Sequence, residues 1–301
     1  MEYLVYNMQF CMHKQTGMDA SELKALITLL EDPDNEVNSQ VSKMILSQGT
    51  EIIPELERTW EMSMDEKLQE KIEALIQLIH FQHIETGLTC WIDSGTHDLL
   101  EGACMVAKLQ YPDLSVQYLN NIVDDLKQDI WLELNPNLTA LEKIHIMNHF
   151  LFEVHKFSGN LYNIYSPQNS YINQVFETKK GNPITLSIVY ICIAQKLGMP
   201  VYGINLPRNF LVAYMDEYVS AEESVLFYIN PYNKGSIVNR NELESFIQQQ
   251  GMEAEDRYFK PCANLEIIQR LILNLIMAYD KMGFREKISD FQRLLKIVMK
   301  S

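Results

Sequence analysis

The chain has 301 residues, and its 25 Lys and Arg residues against 40 Asp and Glu residues give a net charge of −15. Since it also lacks a run of basic residues, we expect neither a nucleic acid nor an anionic membrane as a partner. Hydrophobic residues make up 47% of the chain, which is typical of a folded protein rather than a disordered one. At roughly 150 residues per domain, the length predicts about two domains.

The cysteine pattern argues against a disulfide framework or a zinc cluster, because the number is odd, the spacing is wide and CxxC is absent. The five cysteines are Cys11, Cys90, Cys104, Cys192 and Cys262. We therefore predict a reducing, cytoplasmic location. The apolar opening at residues 2–14 lacks the basic region and cleavage site of a signal peptide. Residues 184–194, the longest apolar stretch, are too few for a membrane span, which needs about 20.

Helical periodicity dominates residues 19–157, where apolar residues recur at spacings of three and four. Asp19 and Glu22 are typical of a capping box at the start of the first helix. Pro33 separates that helix from a second one, which Gly49 ends. The resulting hairpin resembles one HEAT-type unit, and a solenoid needs about three. Further helices are predicted at residues 66–83, 97–110, 115–131 and 139–157.

The composition changes at residues 158–160, where we predict a boundary. Asn182 is a good N-cap and Pro183 suits the first helical position, while Gly198 predicts the end of that helix. Because the helix is apolar nearly all round, it should be buried. A short helix at 171–177 precedes it; β-like runs at 201–205, 210–214 and 225–229 and helices at 239–250, 265–281 and 285–300 follow it.

These elements predict an α+β fold in three parts. An N-terminal all-α region with a HEAT-like start spans residues 1–157. A helix-plus-antiparallel-sheet core spans residues 158–262, and a C-terminal helical hairpin spans residues 263–301.

Four segments closely resemble the SirB-type branch of the transglutaminase-like superfamily. They are residues 165–171, 180–190, 194–203 and 206–212. The Asn-Pro-Tyr run at 230–232 is similar to the Asp-Pro-Phe/Tyr motif of that branch, and the closing helices resemble its tetratricopeptide-like tail. The resemblance covers most of the chain, with residues 60–135 only weakly matched. It implies a papain-like core in which a long helix packs on an antiparallel sheet.

Catalytic members of that superfamily use a Cys at the start of the buried helix, a His as its base and an Asp that orients the His. The resemblance places these three positions at Pro183, Asn209 and Asn230, so all three roles are vacant. No His follows residue 155, and Cys192 lies nine residues into the helix, where we expect a core residue. The sequence therefore favours a non-catalytic protein-interaction or regulatory module without a cofactor, whose partner and oligomeric state stay open.

Two other functions remain alternatives. A hydrolase or acyltransferase of altered chemistry would draw a hydroxyl from Thr185 or Ser187 and a base from Asp216 or Glu217. For both hydroxyls, however, a hydrogen bond to a carbonyl one turn back is the favoured interpretation. A ligand sensor would instead use the amides of two vacant positions to bind a peptide group. Candidate residues of a remnant pocket are Asn169, Ser170, Thr185, Ser187 and Arg208.

One helix face offers a possible metal site. His145 and His149 are spaced i, i+4, with Glu142 and Glu153 on neighbouring turns. Two helical histidines without a third ligand are more typical of a polar surface, so we predict no metal there.

Overall fold

The computed structural model describes residues 20–32, 34–216 and 225–300. The expectations for Asp19, Pro33 and Glu217 lie outside these residues. The chain forms two compact units, Met1–Asp93 and Ser94–Ser301. Both predicted boundaries, at 157/158 and 262/263, fall inside the second unit, and the three-part division stays a prediction.

The described part of the first unit is all helical. Its helices are α1 (Ala20–Thr28), α2 (Asn35–Ser47), α3 (Ile53–Met62) and α4 (Glu66–Asp93). Asp34 caps α2 by accepting a hydrogen bond from the Glu36 N–H at 2.8 Å. Helix α3 was not predicted, because only Ile53 and Leu56 of its ten residues are buried and the periodicity is too short to detect. Helix α4 extends ten residues beyond its predicted end at 83.

The second unit contains the remaining described helices. They are α5 (Leu99–Lys108), α6 (Val116–Trp131), α7 (Ala140–Asn148), α8 (Ile172–Thr178), α9 (Pro183–Lys196), α10 (Arg240–Gln249), α11 (Asn264–Met282) and α12 (Arg285–Val298). The helix predicted at 139–157 changes character after Asn148, where a π-helical turn covers His149–Val154. In this turn the His155 N–H donates to the Phe150 carbonyl at 2.8 Å, a five-residue step.

Two sheets accompany these helices. Strands β1 (Ser158–Gly159) and β2 (Lys180–Gly181) form a short parallel pair. Strands β3 (Val201–Ile204), β4 (Leu211–Met215), β5 (Val225–Asn230) and β6 (Ser236–Val238) form an antiparallel sheet in that order. The α+β fold class is confirmed, and the three predicted β-like runs correspond to β3, β4 and β5.

Helix α9 lies at the centre of the second unit. All of its residues from Ile184 to Ala194 are buried, as its uniformly apolar sequence predicted. It packs against β3, β4 and α6. Leu243 and Ile247 of α10 belong to the core cluster that includes residues of β3 and β4. The papain-like arrangement that the resemblance implied, a long helix on an antiparallel sheet, is therefore present.

Two further expectations concerned the cysteines and a membrane-spanning helix. Within the described ranges, Cys90, Cys104, Cys192 and Cys262 form no disulfide bond. No helix in the described part of the chain is both long and apolar enough to cross a membrane.

Asn148 connects three elements of the second unit. Its Nδ2 donates to the Gly235 carbonyl at 2.8 Å, and its Oδ1 accepts from the Tyr190 hydroxyl at 2.9 Å.

We predict that Asn148→Ala lowers the free energy of unfolding by about 1–3 kcal/mol, because the buried Tyr190 hydroxyl loses its acceptor. Urea denaturation followed by circular dichroism measures this. The control Asn121→Ala, on the exposed side of α6, should change it by less than about 0.5 kcal/mol; equal losses would contradict the prediction.

Candidate functional site

Helix α9 begins in a network of polar side chains. Asn182 is its N-cap, as predicted, and its Oδ1 accepts from the Thr185 N–H at 3.0 Å. The Asn182 N–H donates in return to the Thr185 hydroxyl oxygen at 3.1 Å, which completes a capping box. The Thr185 hydroxyl donates to the Asn169 carbonyl at 2.6 Å. The first turn of a buried helix thus has its polar groups paired with the preceding loop.

The same network shapes the loop before the helix. The Asn182 Nδ2 donates to the Ser170 hydroxyl at 2.8 Å. The Asn169 Nδ2 donates to the Asn163 carbonyl at 2.7 Å, and its Oδ1 accepts from the Asn160 Nδ2 at 2.9 Å. Because Asn169 and Ser170 are each only 3% exposed, these bonds replace those that water would make.

A cleft of about 470 Å³ opens at the N-terminal end of α9. Five parts of the second unit form it, and we call this space the cleft. They are residues 164–166 with Ser170, residues 182–184, residues 208–210 between β3 and β4, Tyr232, and one side of α11 with Arg270, Asn274, Met277, Ala278 and Lys281.

Two of the three positions that the resemblance assigned to the catalytic residues meet at the cleft. Pro183 and Asn209 line it, but Asn230 does not. The Asn230 Oδ1 instead accepts from the Asn233 N–H at 3.2 Å and caps a single 3₁₀ turn, Pro231–Asn233. Tyr232, in that turn, lines the cleft in its place.

The candidate pocket residues divide in the same way. Ser170 and Arg208 line the cleft, whereas Asn169, Thr185 and Ser187 do not. Thr185 is fully buried, and the Ser187 hydroxyl donates to the Pro183 carbonyl at 2.8 Å. The Ser187 bond runs to the carbonyl one turn back, as the favoured interpretation predicted, whereas the shortest bond of the Thr185 hydroxyl goes to the Asn169 carbonyl in the preceding loop. These residues support the wall of the cleft from behind.

The wall that α11 contributes to the cleft was not predicted from the sequence. Arg270, Asn274, Met277 and Lys281 are spaced i, i+4, i+7 and i+11, which places them along one side of the helix. Residues of the other side, such as Leu271, are in the core. The polar and cationic spacing was visible in the sequence, but nothing in it indicated what this side of the helix faces.

Aromatic contacts fix α11 in this position. The hydroxyl groups of Tyr171 and Tyr279 are 2.7 Å apart in a buried hydrogen bond. The Tyr279 ring stacks on Phe291 of α12 with ring centroids 5.7 Å apart, and Tyr111 meets Tyr171 edge to face at 5.4 Å. Burial raises the pKa of the Tyr171 phenol, which therefore stays neutral and keeps this bond over the physiological pH range.

Tyr232 lies directly against the chain at Gly159 of β1. A Cβ atom added at Gly159 would lie 2.5 Å from the Tyr232 Cε2 atom, too close for any side chain. Burial raises the pKa of the Tyr232 phenol, so it is neutral at physiological pH.

The charged groups of the cleft are all cationic. Of the residues that the structure describes, no Asp, Glu or His lines it, while Arg208, Arg270 and Lys281 do. The Lys281 Nζ lies 3.0 Å from the centroid of the Tyr165 ring, a cation–π contact. The Arg208 Nη1 donates to the Gln250 Oε1 at 2.9 Å. Burial lowers the pKa of Arg270, yet a guanidinium remains protonated in proteins.

Burial makes three of the four described thiols poor nucleophiles. Burial raises the pKa of Cys104 and of Cys262 to about 12, and it also raises the pKa of Cys192. A thiol must ionise to attack an acyl group, so these residues are unreactive at neutral pH.

The histidine face of α7 and the π-helical turn is occupied by local contacts. The His149 Nδ1 lies 2.8 Å from the Glu153 Oε2, and Glu142 accepts from the Thr139 N–H at 2.8 Å in a capping box. Within the described ranges, no group of three or more His, Cys, Asp or Glu residues is arranged to hold a metal ion. Asp216 does not line the cleft.

Comparison with known proteins gives the family. A model of the transglutaminase-like superfamily matches residues 117–273, about half of the chain. The UPF0162 protein of Xylella fastidiosa (strain Temecula1) is 30% identical over 216 residues, which cover 69% of this chain and 74% of that protein. The chain therefore belongs to the transglutaminase-like superfamily.

More distant relatives include two further proteins. The UPF0162 protein of Vibrio cholerae is 26% identical over 158 residues, which cover 52% of this chain and 56% of the relative. F-box only protein 21 of Homo sapiens is 30% identical over 152 residues, 50% of this chain but only 23% of that protein. No solved structure matches significantly. The family match ends at residue 273, inside α11, so it includes Arg270 but not Lys281.

Removal of the α9 cap should cost more than removal of an ordinary cap. We predict that Asn182→Ala loses the cap, worth about 1 kcal/mol, and leaves buried Ser170 and Thr185 groups without a partner, at about 1–3 kcal/mol more. The matched control is Asn239→Ala, which removes the exposed capping box of α10 and should cost only the first amount. Urea denaturation of both variants measures the difference. Equal losses would show that the network adds nothing to the cap.

Proposed function

We propose that this is a non-catalytic protein of the SirB-type branch that binds a partner protein in its cleft and acts as an interaction or regulatory module. The observation that carries the proposal is the cleft itself. It lies where a catalytic member would place its nucleophile, yet Pro183 and Asn209 line it and the described carboxylates, imidazoles and thiols do not. The proposal includes a cytoplasmic location, which is supported by the cysteine pattern.

Acyl transfer needs a nucleophile and a base within hydrogen-bond distance. Pro183 provides neither a thiol nor an N–H group. The Asn209 amide is no base at neutral pH, and its Oδ1 already accepts from the Phe210 N–H at 2.8 Å. Loss of the catalytic triad is therefore part of the proposal.

An enzyme of altered chemistry has less support. The Thr185 and Ser187 hydroxyls are buried and bonded to carbonyls, and neither lines the cleft. Ser170 does line it, but its hydroxyl accepts from the Asn182 Nδ2, an amide that cannot remove a proton. A guanidinium cannot serve as the base either, because it does not deprotonate in proteins.

Exposed apolar residues beside the cleft favour a protein partner. On the loop that forms one wall, Leu161 is 70% exposed and Tyr162 is fully exposed. At the end of α11 and after it, Met277, Met282 and Phe284 are about half exposed. Large exposed apolar side chains near a polar cleft are typical of surfaces that bind other proteins.

A turnover assay tests the proposal. We predict that the protein forms no hydroxamate from glutamine peptides and hydroxylamine, and hydrolyses no p-nitrophenyl ester, above the rate of the Ser187→Ala variant. Ser245→Ala, on the exposed surface of α10, is the matched control. Turnover that Ser170→Ala, Thr185→Val or Ser187→Ala abolishes, and Ser245→Ala retains, would overturn the non-catalytic function.

Thiol labelling tests the same proposal from the pH side. With a pKa of about 12, the partly exposed Cys262 is a thiolate to roughly one part in 10⁴ at pH 8. Because its folded pKa is raised, its iodoacetamide labelling rate should rise about tenfold per pH unit from pH 7 to 10, whereas the fully buried Cys104 should label only when the protein opens. Mass spectrometry of tryptic peptides measures the rates. In urea, labelling should instead level off above about pH 8.5; a plateau near pH 7 in the folded protein would reveal an activated thiol.

A further inference from the structure

The cleft has the opposite charge to the protein around it. The chain carries a net charge of −15, yet three cations and no described carboxylate line this space. Within the described ranges, Arg208, Arg270 and Lys281 form no ion pair with Asp or Glu, although five ion pairs between Lys or Arg and a carboxylate occur elsewhere. A local cationic site in an acidic protein attracts anions that the rest of its surface repels.

Arg270 is the strongest indication of a missing anion. It is half-buried, and its Nη1 reaches only the neutral Asn205 Oδ1, at 3.4 Å. Removing a cation from water without a counter-charge costs free energy. A carboxylate bound in the cleft would recover that cost, since bidentate arginine–carboxylate pairs are among the strong hydrogen bonds of proteins.

The spacing of the cations favours an extended ligand. Arg270 and Lys281 are eleven residues apart on α11, which corresponds to about 16 Å along the helix axis. An extended peptide advances about 3.3 Å per residue, so about five residues cover this distance.

The remaining groups of the cleft suit a peptide main chain. Asn209 and Asn274 line it and carry amide groups, which both donate and accept hydrogen bonds. Phe210 and Tyr232 provide apolar surface between the charged groups.

We infer that the cleft binds an acidic segment of a partner protein, about five residues in extended conformation, with its carboxylates on Arg270, Lys281 and Arg208. This inference rests on the proposed function and specifies the class of its ligand. The exposed apolar residues of loop 161–165 would contact the partner beyond the segment.

The test uses two rhodamine-labelled octapeptides and the full chain. One peptide alternates Glu and Tyr, and the other alternates Gln and Tyr, so the two differ only in charge. Fluorescence anisotropy should give at least tenfold tighter binding of the Glu peptide. The double variant R270Q/K281Q should lose at least tenfold in affinity for it. The single variant K281Q, which changes an exposed side chain, should lose several-fold and guards against misfolding of the double variant.

A charge-matched control separates the cleft from bulk electrostatics. R285Q/K296Q removes two exposed cations from α12, which does not line the cleft. It makes the net charge change by the same amount as R270Q/K281Q, and its affinity for the Glu peptide should stay within twofold of the unmodified protein.

Several outcomes would overturn the inference. They are equal binding of the two peptides, equal losses in the two double variants, and no binding of the Glu peptide below 1 mM. Titration with citrate and inorganic phosphate tests whether the bound anion is a peptide or a small ion. If these ions bind and the Glu peptide does not, the ligand of the cleft is a free anion and not an acidic segment.

Failure of the proposed function gives a different signature. Mass spectrometry of the incubated peptides would reveal cleavage or deamidation, which contradicts a non-catalytic protein whatever the affinities are. Tight binding of the Gln peptide that Tyr232→Ala weakens would leave a binding module in place and overturn only the acidic ligand.

Discussion

The second unit depends on how its central helix begins. Helix α9 is buried from Ile184 to Ala194, so solvent can reach its first turn only where Asn182 and Pro183 border the cleft. The Asn182 side chain accepts a hydrogen bond from this turn, and the Thr185 hydroxyl joins the turn to the Asn169 carbonyl of the preceding loop. Since the same bonds fix that loop and hold Ser170, the cap of one helix also determines where one wall of the cleft stands.

The sequence predicted best those elements that are defined by local chemistry. Asn182, Pro183 and Gly198 predicted the limits of α9, and the three short β-like runs correspond to β3, β4 and β5. Strands β1 and β2 could not be predicted from the sequence, because a strand of two residues shows no periodicity. Their pairing also depends on a contact between distant parts of the chain, Ser158 with Lys180. The π-helical turn after Asn148 likewise has no sequence signal that distinguishes it from an α-helix.

The site was predictable only in part, for a similar reason. The family motifs predicted site positions at Pro183, Arg208 and Asn209, and all three residues line the cleft. Asn230 does not line the cleft, because its side chain caps a local 3₁₀ turn by accepting from the Asn233 N–H, a contact that the family motif does not predict. Arg270 and Lys281 were missed, since only the packing of Tyr279 against Tyr171 and Phe291 brings that side of α11 to the cleft.

The absence of a side chain at Gly159 determines where the Tyr232 ring lies, and therefore how wide the cleft is. The Tyr232 ring rests on the main chain of β1 on one side and borders the cleft on the other. A single methyl group at position 159 would displace the Tyr232 ring and change the width of the opening, although Gly159 does not itself line the cleft. A substitution at Gly159 can therefore change which sizes of ligand the cleft accepts, while every residue that lines the cleft stays the same.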